Sequence, residues 1–389
     1  MYGHEGTGQD DRKKKQAHEL SVVETGFGTR RNEFRIEAKG QSTHTPRMTR
    51  FGIIGLSHDH VWDVLPELKE NEQAELVAAC SLQRPLLDRA AKEYGVQIYT
   101  DSQEMAASEQ LDAVLIYGNN RSGAEEGKKA LERGWHVLIE KPLAADLAGA
   151  DELLQAADTT GKRLMVNWPI AWWPQVQHAL ALAQSGEIGE VWQVRYRAAH
   201  QGPKEMGASE HFCDWLYDPN RNGGGALLDY CCYGAVLSRV LLGRPSSVTA
   251  VAGQLLKTDL DAEDNAVLLM QYPKAICIAE ASWTQIDKMT HYRTIIYGSE
   301  GTLLAEPENG RLLKATQEQP EGFEIEVPEL AAHQRQPIAH FLHGIETDEA
   351  FHPLCRAGHC RDAQEILSLG AQAAESGQQI ELPQLKEMD

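Results

Sequence analysis

No uninterrupted apolar run in the 389 residues approaches the roughly 18 that a membrane-spanning helix needs. Basic residues are outnumbered, 37 Lys and Arg against 57 Asp and Glu, and the formal net charge of -20 offers no basic face to a nucleic acid. Neither a membrane nor a nucleic acid is therefore expected as a partner. The seven cysteines (80, 213, 231, 232, 277, 355 and 360) are odd in number and lack the spacing of a disulfide framework, which predicts reduced thiols in a cytoplasm. Cys355 and Cys360, with His359 between them and His340, His343 and His352 nearby, fit no established zinc spacing, and no metal is expected. Residues 1–47 lack either periodicity, are polar and contain Lys13-Lys14-Lys15. They read as a disordered tail or an overextended start, and Arg30-Arg31 is followed by no apolar segment that would make it an export signal.

From residue 48 the pattern alternates. Apolar strands are predicted at 51–56, 75–80, 111–117, 135–139 and 163–166, with helical spacing at 60–69, 86–94, 124–133 and 147–157. Strand–helix alternation with short connections means a doubly wound parallel sheet over residues 48–168, of the kind that binds dinucleotides where its strands end. The first turn reads Gly55-Leu56-Ser57-His58-Asp59-His60, so only the first glycine of the G-x-G-x-x-G fingerprint is present. Ser57 still permits close approach of a pyrophosphate and adds a hydroxyl donor. His58 and His60 alternate on this loop, as solvent-facing or cofactor-contacting side chains do. The second strand ends at Cys80-Ser81, with Ser81 where an acid would hold the ribose hydroxyls of NAD. The missing carboxylate and the nearby Arg84 tilt the expectation from NAD toward NADP.

The segment Val137-Leu138-Ile139-Glu140-Lys141-Pro142 is the most informative in the chain. A buried apolar strand stops abruptly in an acid, a base and a proline, at the sheet end where ligands bind. Past Asn167-Trp168 the pattern changes to a helix at 176–184 followed by strands at 191–198, 247–253, 266–272, 275–281, 293–297, 302–305 and 322–327. Short Gly, Pro, Asn and Asp turns suit a large open, mostly antiparallel sheet over residues 169–389. Such a sheet needs a cover, which a second copy of the chain supplies, so a homodimer or homotetramer is expected. Gly223-Gly224-Gly225 opens a helix over 226–242, an entry where backbone can approach a ligand closely. Asp229 and Tyr233 share one face of its first turns.

Taken together, the nucleotide fold, Glu140-Lys141-Pro142, Gly223-Gly224-Gly225-Ala226-Leu227-Leu228-Asp229, Tyr297-Gly298-Ser299-Glu300-Gly301-Thr302-Leu303 and the late helix ending Ser376-Gly377-Gln378-Gln379-Ile380 resemble the glucose–fructose oxidoreductase / inositol 2-dehydrogenase / MocA family. The resemblance covers roughly residues 48–384. It implies a Rossmann domain followed by a substrate-binding and oligomerisation domain, and hydride transfer between NAD or NADP and a sugar, polyol or related alcohol. It places Lys141 beside nicotinamide and substrate, with Asp229 completing the site. The family often has a histidine where this chain has Tyr233, which is similar to the branch using tyrosine for proton transfer, so Tyr233 with Lys141 is the expected proton-transfer pair. Lys141 is expected to lower the pKa of the phenol, unless Asp229 lies closer and raises it. Further cofactor contacts are expected from Gly55, Ser57, His58, Ser81, Arg84, Gly118, Asn119, Glu140 and Asn167, and substrate contacts from Trp168, Trp172, Asp229 and His211. A glycosidase with tightly held NAD and a nucleotide-binding sensor are the alternatives.

Overall fold

Five buried strands carry the first sheet, and their sequences explain why. The computed structural model describes residues 47–383 apart from 287 and 308; the polar segment 1–47 thus lies, except for Arg47, outside the described residues. In chain order the elements are β1 (Thr49–Ile54), α1 (Val61–Glu70), β2 (Ala74–Cys80), α2 (Arg84–Tyr94), β3 (Gln97–Tyr99), α3 (Ser102–Ser108), β4 (Ala113–Ile116), α4 (Asn120–Glu132), β5 (His136–Glu140), α5 (Leu147–Thr160) and β6 (Leu164–Asn167). They form a parallel sheet in the order β3-β2-β1-β4-β5-β6. β4 and β6 are buried along their whole length, which is why they read as continuous apolar runs. The short β3 is exposed or half-buried and α3 has one buried residue, so neither shows in the hydrophobic pattern. The Asp101 cap, whose carboxylate accepts from the Gln103 amide at 2.7 Å, was the available signal.

The remaining elements are α6 (Pro174–Gln184), β7 (Val191–Ala199), α7 (Glu210–Leu216), α8 (Pro219–Asn222), α9 (Ala226–Leu242), β8 (Ser247–Gly253), β9 (Asn265–Gln271), β10 (Ile276–Ser282), β11 (Arg293–Gly298), β12 (Gly301–Glu306), β13 (Arg311–Thr316), β14 (Phe323–Ile325), α10 (Pro337–Thr347), α11 (Ala357–Ser376) and β15 (Ile380–Glu381). Their nine-stranded sheet runs β14-β13-β12-β11-β7-β10-β9-β8-β15. It is antiparallel except where β10 lies parallel to β7. One face, including Val194, Tyr196, Leu268, Met270, Cys277 and Ala279, is buried. α9 packs on β7, β9 and β10, and α11 packs on α9 and β8. The other face leaves Trp192, Val251, Val267, Leu269 and Ile276 between 39% and 73% exposed.

Among the described residues, one stretch is long and apolar enough to cross a membrane, Pro219–Leu242, and it is the buried central helix of this layer. All seven cysteines are buried and unpaired.

Gly55 closes the junction between β1 and β4. Its φ of 83° is left-handed, and a Cβ there would collide with the backbone of Gly118. Gly55→Ala is expected to cost at least about 1–3 kcal/mol in backbone strain alone. Urea melts of the two proteins check this, and unchanged stability would contradict the packing described.

Candidate active site

The carboxyl ends of β1, β2, β3 and β4 open onto a cleft of about 320 Å³, lined among others by Gly55, Ser57, Ser81, Gln83, Gly118 and Asn119. Gly55 and Gly118 let the two loops meet without side chains, and the lining offers hydroxyls and amides. This fits the phosphates and ribose of a dinucleotide. Ser81 donates to Gln83 Oε1 at 2.7 Å, so an amide stands where an acid was missing. The Asn119 side chain caps α4 by accepting from the Ser122 amide at 2.9 Å. Arg84 does not line the cleft; its Nε donates to Asp88 Oδ1 at 2.8 Å on the exposed face of α2. A 2′-phosphate would have to draw it away from Asp88.

His58 also departs from expectation. It lies outside the cleft lining, buried against Phe212 and Trp215 with ring centroids 4.6 and 5.7 Å away. Between the two loop histidines, Asp59 turns to α7 and accepts from the Ser209 amide at 2.7 Å and the Ser209 hydroxyl at 2.6 Å.

One strand beyond β4, β5 delivers Glu140 and Lys141. Lys141 Nζ donates to Asp229 Oδ1 at 2.7 Å and to the Asp229 carbonyl at 3.2 Å, and both side chains are buried. Burial alone would lower the lysine pKa, but the Asp229 carboxylate outweighs it and holds the ammonium well above its ordinary value. The approach of α9 that makes this contact depends on Gly223. With φ at 99°, it packs where a Cβ would collide with the Ala145 carbonyl, four residues past Lys141. Glu263 then fills the N-terminus of α9, its Oε1 accepting from the amides of Gly225 at 2.8 Å and Leu227 at 3.1 Å. The glycine run therefore admits protein backbone and a capping acid, rather than a ligand as its composition suggested.

Tyr233 stands beside the pair, its ring centroid 5.1 Å from Lys141 Nζ. It is sandwiched by aromatics, stacked on Tyr196 at 5.4 Å and edge-on to Trp168 at 5.4 Å. The expected lowering of its pKa is not found. Burial pushes the phenol well up, and Asp229 adds to the rise. Trp168 is 1% exposed with its indole N–H on Cys360 Sγ, so it backs Tyr233 and presents no face to a substrate. Trp172 donates to Asn167 Oδ1 at 2.8 Å, and Asn167 in turn donates to Glu140 Oε2 at 2.8 Å. These two residues orient Glu140. His211 stands partly exposed on α7.

A second polar group was not visible in the sequence. His200 Nδ1 accepts from the Gly202 amide at 2.9 Å, which leaves the ring proton on Nε2, hydrogen-bonded to the Tyr230 hydroxyl. Tyr230 in turn meets the Tyr292 hydroxyl at 3.1 Å. The Tyr230 ring centroid is 5.7 Å from Lys141 Nζ, so this chain of groups borders the same centre. Its members come from the end of β7, from α9 and from the start of β11, and no local motif joins them.

Residues 49–168 match the family profile described as oxidoreductase family, NAD-binding Rossmann fold. Residues 176–304 match the GFO/IDH/MocA C-terminal domain. An uncharacterized oxidoreductase of Rhizobium meliloti is 31% identical over 57% of this chain and 65% of its own. D-xylose 1-dehydrogenase (NADP(+)) 2 of Haloferax volcanii is 28% identical over 66% of this chain and 75% of its own. The chain thus spans somewhat under two thirds of the first relative's length and three quarters of the second's. The crystal structure of aldose-aldose oxidoreductase from Caulobacter crescentus, complexed with glycerol, superposes with a TM-score of 0.73 over 86% of this chain and 100% of that one, at 20% identity. At that identity the likeness is one of fold.

Burial pulls the His200 pKa down to about 4 from an ordinary 6.5, against the Asp229 carboxylate, which acts the other way. The stability linked to its neutral form is whole above about pH 6.5 and is lost as pH falls toward 4. Its ring resonances in NMR spectra are expected not to titrate between about pH 5.5 and 8; a midpoint near 6.5 would contradict the hydrogen bonds described.

Proposed function

Because this chain belongs to the GFO/IDH/MocA family of oxidoreductases, with an NAD-binding Rossmann fold over residues 49–168, we propose that it transfers hydride between a nicotinamide cofactor and a carbinol or carbonyl carbon of a sugar or polyol. The buried Lys141–Asp229 pair, set one strand from the nucleotide cleft, is the observation that carries this reading. A nicotinamide cofactor, when bound, supplies or accepts the hydride. Of the three ammonium donors of Lys141, two point to Asp229, and the third is left for the reacting oxygen of the substrate. Asp229 fixes the lysine and offsets its charge. Tyr233, kept protonated by burial, serves as proton donor in the reductive direction, its ring 5.1 Å from the Lys141 ammonium. The relatives that bear names of sugar and polyol dehydrogenases support the substrate class.

NADP is the proposed preference, supported by Ser81 and Gln83 in place of an acid at the ribose position. The unpaired buried cysteines suit a reducing cytoplasm. The exposed apolar face of the second sheet suits a homodimer or homotetramer.

Lys141→Met and Tyr233→Phe are each expected to lower kcat by about 10²–10⁴ on a responsive sugar or polyol. Binding of NADPH, followed by nicotinamide fluorescence, should stay within a few-fold of the unaltered protein. Turnover retained in both variants would remove the proton-transfer pair, and failure of NADPH and NADH alike to bind the unaltered protein would remove the dehydrogenase. Light scattering should give at least twice the 43.1 kDa of one chain, and Val251→Glu with Leu269→Glu should reduce it. A monomer at micromolar concentration would contradict the oligomer.

A further inference from the structure

His58, His60 and Glu140 converge although they come from separate parts of the first sheet. One ligand atom from each lies within 4.8 Å of the other two, and this is the one such group of three among the described residues. His60 Nδ1 is 3.1 Å from Glu140 Oε1. Around a tetrahedral zinc, with bonds of about 2.0–2.2 Å, donor atoms sit about 3.4 Å apart. The His60–Glu140 separation of 3.1 Å is close to that spacing, and the His58 donor atom stands within 4.8 Å of both. We propose that these three side chains form a binding site for a divalent cation of the zinc class, held by two imidazoles and one carboxylate with a fourth position open.

Two features beyond proximity favour a built site. The first is the support behind the carboxylate. Glu140 Oε2 accepts from Asn167 Nδ2 at 2.8 Å, and Trp172 holds the Asn167 oxygen at 2.8 Å. One carboxylate oxygen is thus fixed while the other is turned to the histidines, the arrangement by which outer groups orient a ligating acid. The second is the loop. Asp59 is drawn to Ser209, the cap of α7, while His60 on its far side reaches Glu140 at the end of β5. His58 is buried among Tyr117, Phe212 and Trp215. An aromatic wall of this kind limits ring motion and excludes water from a ligating imidazole. The donor set, two nitrogens and an oxygen, suits zinc and neighbouring divalent metals better than calcium or magnesium. Lys141, adjacent to Glu140, brings a positive charge to the vicinity, which Asp229 offsets. A cation here would join the loop after β1 to the end of β5.

The test uses full-length protein stripped with a chelator and titrated with Co²⁺ alone, then with Zn²⁺ in competition. One equivalent per chain is expected, giving the visible absorption of four-coordinate cobalt without a thiolate charge-transfer band, and Zn²⁺ should displace it. His60→Gln and Glu140→Gln should each weaken binding at least a hundredfold, and Asn167→Ala about 10- to 100-fold. Circular dichroism of each variant reports folding. Should the variants of buried Glu140 or Asn167 fail to fold, His60→Gln, at a half-buried position, decides alone. No cobalt band, a thiolate band, or equal affinity in His60→Gln would overturn the site and leave a hydrogen-bonded His60–Glu140 pair.

Discussion

One buried ion pair ties the end of the first sheet to the helix that covers the second. Lys141 leaves the end of β5 and Asp229 lies in the first turn of α9, 88 residues later, and they meet at 2.7 Å in a buried setting. Withdrawing two such charges from water costs several kcal/mol each, a cost only close geometry and further hydrogen bonds offset. The surrounding structure supplies both. Lys141 also reaches the Asp229 carbonyl, its own amide donates to the Asn167 carbonyl at 3.2 Å, and Gly223 allows α9 to close on the chain after Pro142. α9 itself is seated on the second sheet by its packing on β7, β9 and β10, and the ion pair ties that helix, with Tyr230 and Tyr233, to the end of β5.

The tyrosines around the pair occupy two chemically distinct settings. Tyr233 is enclosed by rings, and its hydroxyl stays protonated because nothing nearby stabilises its anion strongly enough to offset burial. Tyr230 stands between His200 and Tyr292 in a continuous line of hydrogen-bonding groups. Lys141 therefore has an aromatic group on one side and a polar one on the other. On the proposed reading, that pairing would suit the apolar face and hydroxylated rim of a sugar ring.

Much of the first sheet was legible because buried parallel strands are written as unbroken apolar runs. β3 and α3 escaped because they bury little, and α10 although Pro337 at its first position and Ile338, Phe341 and Leu342 on its buried face were signals for it. The alternation in the second half gave most strands of the large sheet, yet the parallel pairing of β10 with β7 is a matter of topology that no local pattern encodes. At the site, Lys141 and Asp229 were visible as motif residues, but their meeting is tertiary. His200 and Tyr292 carried no local mark at all. The glycines before α9 misled for a physical reason: glycine reports close approach, not what approaches. The same holds for Trp168, whose size suits stacking on a sugar equally well as it suits backing a tyrosine.

The central helix α9 has a further consequence during synthesis. Apolar on nearly every side, it leaves the ribosome before β9, β10 and α11, three of the elements that pack on it. At ordinary elongation rates the interval until Ser376 emerges is on the order of ten seconds. Through that interval the nascent chain carries a helix with the hydropathy of a membrane span, shielded only by elements made before it, such as β7 and α6. Cover for this helix until β9, β10 and α11 arrive therefore falls to chaperones that hold exposed apolar segments.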